Sequence, residues 1–280
     1  MMASMASPTP VLTSFANPRV KAATALRDRR ERDRAGLTLV DGAREVRRAL
    51  DAGIEVVEAF VCEPLLAGPD ARAALDALRP RGVAIQPTSE SVFAKLAFGE
   101  RAEGILAVVR IPSTALADLA LPDDPLIVVI EGVEKPGNVG AVLRSADGAG
   151  ADAVVAASPR TDLFNPNAIR ASAGTIFTVP TAAAATPDVL AWLRDSGVRI
   201  VAARVGAGRP YTETGLTGPL AIVLGAEADG LTDAWTADGI EAVNLPMLGV
   251  ADSLNVSISA AILLYEARRQ RGLPLPARKE

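Results

Sequence analysis

Short runs of consecutive apolar residues alternate with segments of helical period along most of this chain, which is the pattern of an α/β protein. In the first half, Leu37–Val40, Val56–Cys62, Val83–Ile85 and Gly104–Val109 predict strands. Between them, Ala43–Ala52 (ended by Gly53), Asp70–Leu78 and a segment opening at Ser89–Lys95 predict helices. Residues 111–125 carry three prolines and no periodicity, and they predict a linker. In the second half, Leu126–Ile130, Ala153–Ala156, Arg199–Ala203, Leu220–Leu224 and Ala242–Leu245 predict strands. Gly137–Gly150 predicts a loop then a helix, and Pro187–Asp195 and Leu254–Arg269 predict helices. Strands this continuously apolar imply a mostly parallel sheet covered on both faces. The Ala182–Ala185 run fits either small-residue packing or a loop. The expected organisation is a disordered lead over 1–11, a small α/β domain over 12–110, a linker over 111–125 and a larger α/β domain over 126–273.

Composition narrows the chemistry. With 280 residues and 49% apolar residues, two ordinary domains can each bury a core. The net charge of −4 gives no global basic field, so a nucleic acid would have to be met by a local patch. Arg19, Lys21, Arg27, Arg29, Arg30, Arg32 and Arg34 form such a candidate among Asp28, Glu31 and Asp33. On charge alone that run fits a solvated helix face with i,i+4 pairs better than an RNA-phosphate patch. The absence of histidine excludes a Ser-His-Asp triad, a Cys-His dyad, a histidine base and histidine-ligated metals. The single cysteine, Cys62, excludes an intrachain disulfide and cysteine-cluster metal sites, and its apolar neighbours predict burial. No apolar run reaches the roughly 18 residues of a membrane span, and the N-terminus lacks the pattern of a signal peptide. The expectation is a soluble, cytoplasmic protein with no membrane partner.

Three predicted strand ends run into glycine and polar residues. After Leu126–Ile130 comes Glu131-Gly-Val-Glu-Lys-Pro-Gly-Asn138, with Asn138 a candidate helix N-cap and Arg144 further along the same helix. Arg144 fits equally a functional cation and a structural ion pair with Asp147, Asp152 or Glu131. After Leu220–Leu224 comes Gly225-Ala-Glu-Ala-Asp-Gly230, with Glu227 expected at or near a helix start. The third is Leu245-Pro-Met-Leu-Gly-Val-Ala-Asp-Ser253-Leu-Asn255, running into an apolar helix whose first turn is polar and which is expected to be buried. A strand, a polar loop and a helix start in that order suit a small-molecule site. None of the three is a dinucleotide fingerprint or a Walker loop, which disfavours phosphate-cradle cofactors.

These three segments, in this order and spacing, resemble the three motifs of the SpoU (TrmH-like) RNA 2′-O-ribose methyltransferases of the SPOUT superfamily. The first half, with Asn-Pro-Arg19-Val-Lys21 and Asp41-Gly-Ala-Arg-Glu, resembles the small substrate-binding domain that precedes that catalytic domain. The resemblance implies a SPOUT-type parallel sheet with a deep trefoil knot, an exception to the rule against knots, after an L30e-like RNA-binding domain. It implies S-adenosylmethionine as methyl donor, held around Ala203, Leu224, Gly225, Leu245, Pro246, Met247 and Leu254, and no metal. It assigns Arg144, Asn138, Glu227, Ser253 and Asn255 to the catalytic site and Arg170 to an RNA phosphate. With an RNA substrate, Arg19, Lys21, Arg27, Arg30 and Arg34 become phosphate-contact candidates. The partners implied are structured RNA, 23S ribosomal RNA ahead of tRNA, and a second copy of the chain, with no DNA. A non-catalytic RNA-binding protein of the same fold is the alternative from another class. Lys135 stands where the family often has Asp, and Ala228 and Asp229 replace a frequent Lys/Ser-like pair. Arginine almost never loses its proton in a protein, so Arg144 is expected to organise the hydroxyl and phosphate electrostatically, and the base stays open.

Overall fold

The structure is a computed structural model that describes residues 9–66, 68–98, 103–206, 208–227 and 229–272. Residues 1–8 of the expected disordered lead, Ala228 and residue 273 lie outside the described residues. The described chain divides into two compact units. The first holds the residues up to Pro112 together with Phe164–Phe177, and the second holds Ser113–Leu163 and the residues from Thr178 onward.

In the first unit the chain runs α1 (Pro18–Ala25), α2 (Arg29–Ala35), β1 (Leu37–Asp41), α3 (Ala43–Asp51), β2 (Val56–Val61), α4 (Gly68–Leu78), β3 (Ala84–Pro87), α5 (Glu90–Leu96) and β4 (Ile105–Arg110). The strands form a four-stranded sheet ordered β1-β4-β2-β3, antiparallel around β4 and parallel between β2 and β3. Leu39, Phe60, Leu106 and Val108 of the sheet pack with Val20, Ala23, Phe93 and Leu96 of the helices in one buried cluster. Cys62 is buried in it, as its apolar neighbours predict. The charged run folds into two short helices, capped by Asn17 and Asp28.

The second unit continues with β5 (Leu126–Glu131), α6 (Pro136–Ala149) and β6 (Ala153–Ala157). The chain then gives α7 (Pro166–Ala171) to the first unit before β7 (Thr181–Ala184), α8 (Thr186–Asp195), β8 (Arg199–Ala203), β9 (Arg209–Pro210), β10 (Leu220–Leu224), β11 (Ile240–Asn244) and α9 (Val256–Gln270). Its seven strands are all parallel, in the order β7-β6-β5-β10-β8-β11-β9. Every residue of β5, β6 and β10 is buried, which is why those strands read as unbroken apolar runs. Leu116, Leu119 and Leu121 of the proline-bearing stretch pack against this core. The alanine run is an edge strand, β7.

Chain order reverses between β5 and β10: β6 and β7 lie on one side, while β8 and β11 lie on the other. The carboxyl ends of strands flanking such a reversal leave a crevice between diverging loops.

Candidate active site

Each of the three strand ends differs locally from its sequence expectation, and each difference has a physical cause. The loop before α6 is shorter than expected. Pro136 starts the helix because its fixed φ suits the first helical position, so Lys135 is the N-cap and Asn138 falls inside the first turn. Glu227 does not open a helix. Gly225 and Gly230 pack so closely that a Cβ on Gly225 would lie 2.1 Å from the Gly230 carbonyl carbon. The backbone turns tightly there and closes an Ala226–Gly230 bridge. The last helix starts at Val256, not Leu254, because the Asn255 side chain caps it by accepting from the Ser257 N–H at 2.9 Å.

These shifts bring the three motifs together. The Asn138 side-chain amide donates to Glu227 Oε1. Asn255 Nδ2 donates to the same oxygen at 2.8 Å and to Asn138 Oδ1 at 3.3 Å. Lys135 Nζ lies 2.9 Å from the other oxygen, Glu227 Oε2. One carboxylate thus orients two amides and ties the loop after β5, the turn after β10 and the cap of α9. Asn255 Oδ1 also accepts from Ser257 Oγ at 2.6 Å, which fixes which end of that amide faces Glu227. Lys135 was not singled out as a site residue by its sequence, although its charge beside a glycine-rich strand end was visible. A second ion-paired group stands nearby, where Arg160 bridges Glu134 at 2.5 Å and Asp229 at 3.0 Å.

A cavity of about 590 Å³ opens at the carboxyl ends of β8, β10 and β11. Of the residues expected around a donor, Ala203, Leu224, Gly225, Leu245, Met247 and Leu254 line it, and Pro246 does not. Glu227 and Ser253 line it as well, as does Asp252, the negative charge beside Ser253, together with Arg204, Asp229 and Ser259, which the sequence reading did not place there. The lining mixes apolar side chains with carboxylates, Arg204 and two serines, and the cavity has a size suited to one small ligand. A cavity of about 760 Å³ in the first unit, lined by Leu75, Ile85 and Ser89 among others, contains none of the expected site residues.

Arg144 is exposed on α6 and has no hydrogen-bond or ion-pair partner among the described residues. The structural ion pair is therefore not formed. Asp152 accepts from the Leu126 N–H, and Asp147 faces Thr178. Glu131 is buried and accepts from Thr186 Oγ1, the Thr232 N–H and Thr232 Oγ1 at 2.8–2.9 Å. The last helix is not buried all round either. Val256, Ala260, Leu263, Leu264 and Ala267 face inward, while Ile258 and Tyr265 stand 51% and 54% exposed.

The basic candidates of the first unit separate into engaged and free groups. Arg27 donates to the Leu96 and Ala97 carbonyls and lies 4.6 Å over the Phe98 ring. Arg19 pairs with Glu58 and Arg34 with Glu31. Lys21 and Arg30 are exposed, and their side chains have no partner among the described residues. Arg170 belongs to the first unit and bonds Asp41.

With this geometry in place, the relatives can be compared. The SpoU rRNA Methylase family matches residues 125–265. The chain belongs to that family. An MRM3-like substrate binding domain matches residues 17–107. The 23S rRNA (uridine(2479)-2′-O)-methyltransferase of Streptomyces viridochromogenes is 31% identical over 263 residues, 88% of this chain and 87% of that protein. The crystal structure of an RNA 2′-O ribose methyltransferase is 44% identical and covers 94% of this chain and 100% of its own, with a TM-score of 0.84. An AdoMet-bound rRNA methyltransferase from Sinorhizobium meliloti is 28% identical over 93% of this chain and 98% of its own, also with a TM-score of 0.84. The family membership accounts for the order of the three motifs, and the α/β fold with its parallel sheet matches these solved structures.

Proposed function

We propose that this protein transfers a methyl group from S-adenosylmethionine to a ribose 2′-hydroxyl of 23S ribosomal RNA. The observation that carries the reading is the convergence of Lys135, Asn138 and Asn255 on the Glu227 carboxylate, beside a ligand-sized cavity, in a chain of the SpoU family.

The cavity suits the donor. Leu224, Leu245, Met247 and Leu254 offer apolar walls for an adenine ring, and the close packing of Gly225 on Gly230 shapes the turn beside them. Asp252 adds a carboxylate to the lining for a cationic, hydroxyl-bearing ligand, while Glu227 and Asp229 are engaged by Lys135 and Arg160. When bound, the donor supplies a methyl group on a positively charged sulfur that an oxygen can attack.

The residues of the chain supply alignment and charge. Glu227 holds both amides rigid, so the loops that border the cavity do not reorganise during the reaction. Arg144, unpaired and exposed, is free to meet the RNA and to organise the ribose hydroxyl and its phosphate. Ser253 borders the cavity as a polar group. Holding the hydroxyl in line with the methyl group supplies much of the rate. Arg170, Lys21 and Arg30 are the cations we assign to RNA phosphates, and Arg19, Arg27 and Arg34 are engaged within the protein.

Four finer features belong to the same proposal. The second unit holds a trefoil knot, and the first unit is an L30e-like RNA-binding domain. The protein acts in the cytoplasm. It acts as a homodimer, for which Ile258, Tyr265, Leu248 and Val250 offer exposed apolar surface.

The test is incorporation of labelled methyl from S-adenosylmethionine into a 23S rRNA transcript, followed by nucleoside analysis. Label recovered as a 2′-O-methylnucleoside is the expected result. RNA binding without donor binding would replace the enzyme reading with that of a non-catalytic RNA-binding protein.

A further inference from the structure

Asp41 and Arg170, 129 residues apart in sequence, meet inside the first unit. Asp41 ends β1 with its side chain only 3% exposed. Its Oδ2 accepts from the Phe98 N–H at 2.6 Å and from Arg170 Nη1 at 3.0 Å. Arg170 Nη1 also donates to the Phe98 carbonyl. The interior therefore engages one nitrogen of the guanidinium. Arg170 Nε and Nη2 make no hydrogen bond among the described residues, and the side chain stays 33% exposed.

The segment that carries Arg170 is held independently of this pair. Thr38 Oγ1 donates to the Phe164 carbonyl at 2.7 Å, and Arg48 Nη1 donates to the Ala173 carbonyl at 2.7 Å. Gly174 sits at φ +82°, where a Cβ would lie 3.1 Å from Glu45 Cα. The backbone of α7 is thus docked on β1 and α3 without help from Asp41. The carboxylate is left with two partners, the Phe98 N–H and the guanidinium, and only the guanidinium has donors to spare for a ligand.

A stability role suits Asp41 poorly. Burial pushes its carboxyl up to about 6, outweighing the Phe98 N–H and the Arg170 charge that favour ionisation, and Glu103 and Glu45 add to the upward push. Its Oδ1 is buried with no hydrogen-bond partner among the described residues. A buried acid that is partly unsatisfied and surrounded by other acids is weak evidence for stabilisation.

We propose that Asp41 is a positioning residue for RNA: it fixes the inner side of the Arg170 guanidinium and leaves Nε and Nη2 as a two-donor edge for a phosphate. That edge is the fork by which arginine, unlike lysine, grips two oxygens of one phosphate at once. The inference rests on the reading of Arg170 as an RNA-phosphate contact.

The experiment measures affinity of the full chain for a 23S rRNA transcript at neutral pH, with steady-state methyl transfer alongside. Arg170→Ala should weaken binding about 10-fold, the loss expected of one charge-assisted bidentate contact. Arg170→Lys should weaken it nearly as much, because a point charge lacks the fork. Asp41→Asn should weaken it roughly 5-fold, raising KM for RNA with kcat held within about two-fold. Asp41→Asn combined with Arg170→Ala should bind no worse than Arg170→Ala alone, since residues acting as one unit are not additive. Unchanged affinity in Asp41→Asn, additive losses in the double variant, or full affinity in Arg170→Lys would each overturn the role of Asp41. Unchanged affinity in Arg170→Ala would instead overturn the phosphate reading of Arg170 on which it rests.

Discussion

Two polar clusters in this chain, one a contiguous charged run and one assembled from three distant segments, behave oppositely in the fold. The Arg19–Arg34 stretch concentrates cations within a few turns, and five of its seven are engaged within the first unit. Arg34 pairs with Glu31, Arg29 with Asp33, and the buried Arg32 donates to the Leu26 and Arg27 carbonyls. The Glu227 cluster draws Lys135, Asn138 and Asn255 from three separated segments and directs them to one carboxylate beside a cavity. Charge density along a sequence therefore measures neither free charge nor function. Polar residues placed at the ends of buried parallel strands say more, because the sheet itself brings them together.

The sharpest way to break this contrast is Arg144→Ala. Arg144 is an exposed cation of the second unit with no partner among the described residues, and methyl transfer should fall at least about 100-fold without it. Its removal should leave thermal stability within roughly 0.5 kcal/mol, because nothing in the fold leans on it. Melting curves and initial rates read the two halves of that statement, and a large drop in stability would mean the residue is structural after all.

Next in size is Gly225→Ala. The added methyl meets Gly230 at 2.1 Å, so the turn that carries Glu227 must open. Calorimetric affinity for S-adenosylmethionine should fall at least about 10-fold, the effect of spoiling one wall of a preorganised pocket. Unchanged affinity would separate the cavity from the donor.

Asn255 allows the cap and the network to be told apart. Asn255→Ala loses both, and should cost about 1 kcal/mol in unfolding free energy for the cap alone. Asn255→Ser keeps a capping oxygen but cannot reach Glu227 and Asn138 together. It should recover most of the stability while methyl transfer stays several-fold down, roughly the cost of one lost hydrogen bond. Recovery of both would reduce the network to a helix cap.

The smallest effects are expected in the basic helices. Lys21→Ala and Arg30→Ala should each lower the salt slope of RNA affinity by about 1, as loss of a phosphate contact does. Arg34→Ala, already paired with Glu31, should leave the slope unchanged. Equal slopes for all three would return the run to a solvated surface.

The parts of the fold legible in the sequence were those where one force dominates. Arg199–Ala203 and Leu220–Leu224 were read with their observed bounds, because each is a strand of nearly unbroken apolar burial with Gly, Pro or a polar residue outside it. The segment that became α7 passed unread because it is six residues long, begins at a proline and takes its place from contacts with distant β1. β7 was ambiguous because alanine has little strand preference of its own, and pairing with β6 decides it. At the site, the motifs identified the residues, but their local geometry depended on neighbours that a linear reading underweights. Pro136 moved the start of α6, and the close approach of Gly225 to Gly230 replaced an expected helix with a turn. Lys135 was read as a departure at a variable position. Only the folded chain puts its ammonium on Glu227.

The central claim is that the strand-end cluster serves methyl transfer to a ribose. Nucleotide-resolution mapping of 2′-O-methylation tests it most directly, on a 23S rRNA transcript treated with the intact protein and with Arg144→Ala. One ribose-methylated nucleotide is expected with the intact protein, and none with Arg144→Ala. A methyl group found on a base, or the same ribose mark left by Arg144→Ala, would contradict it.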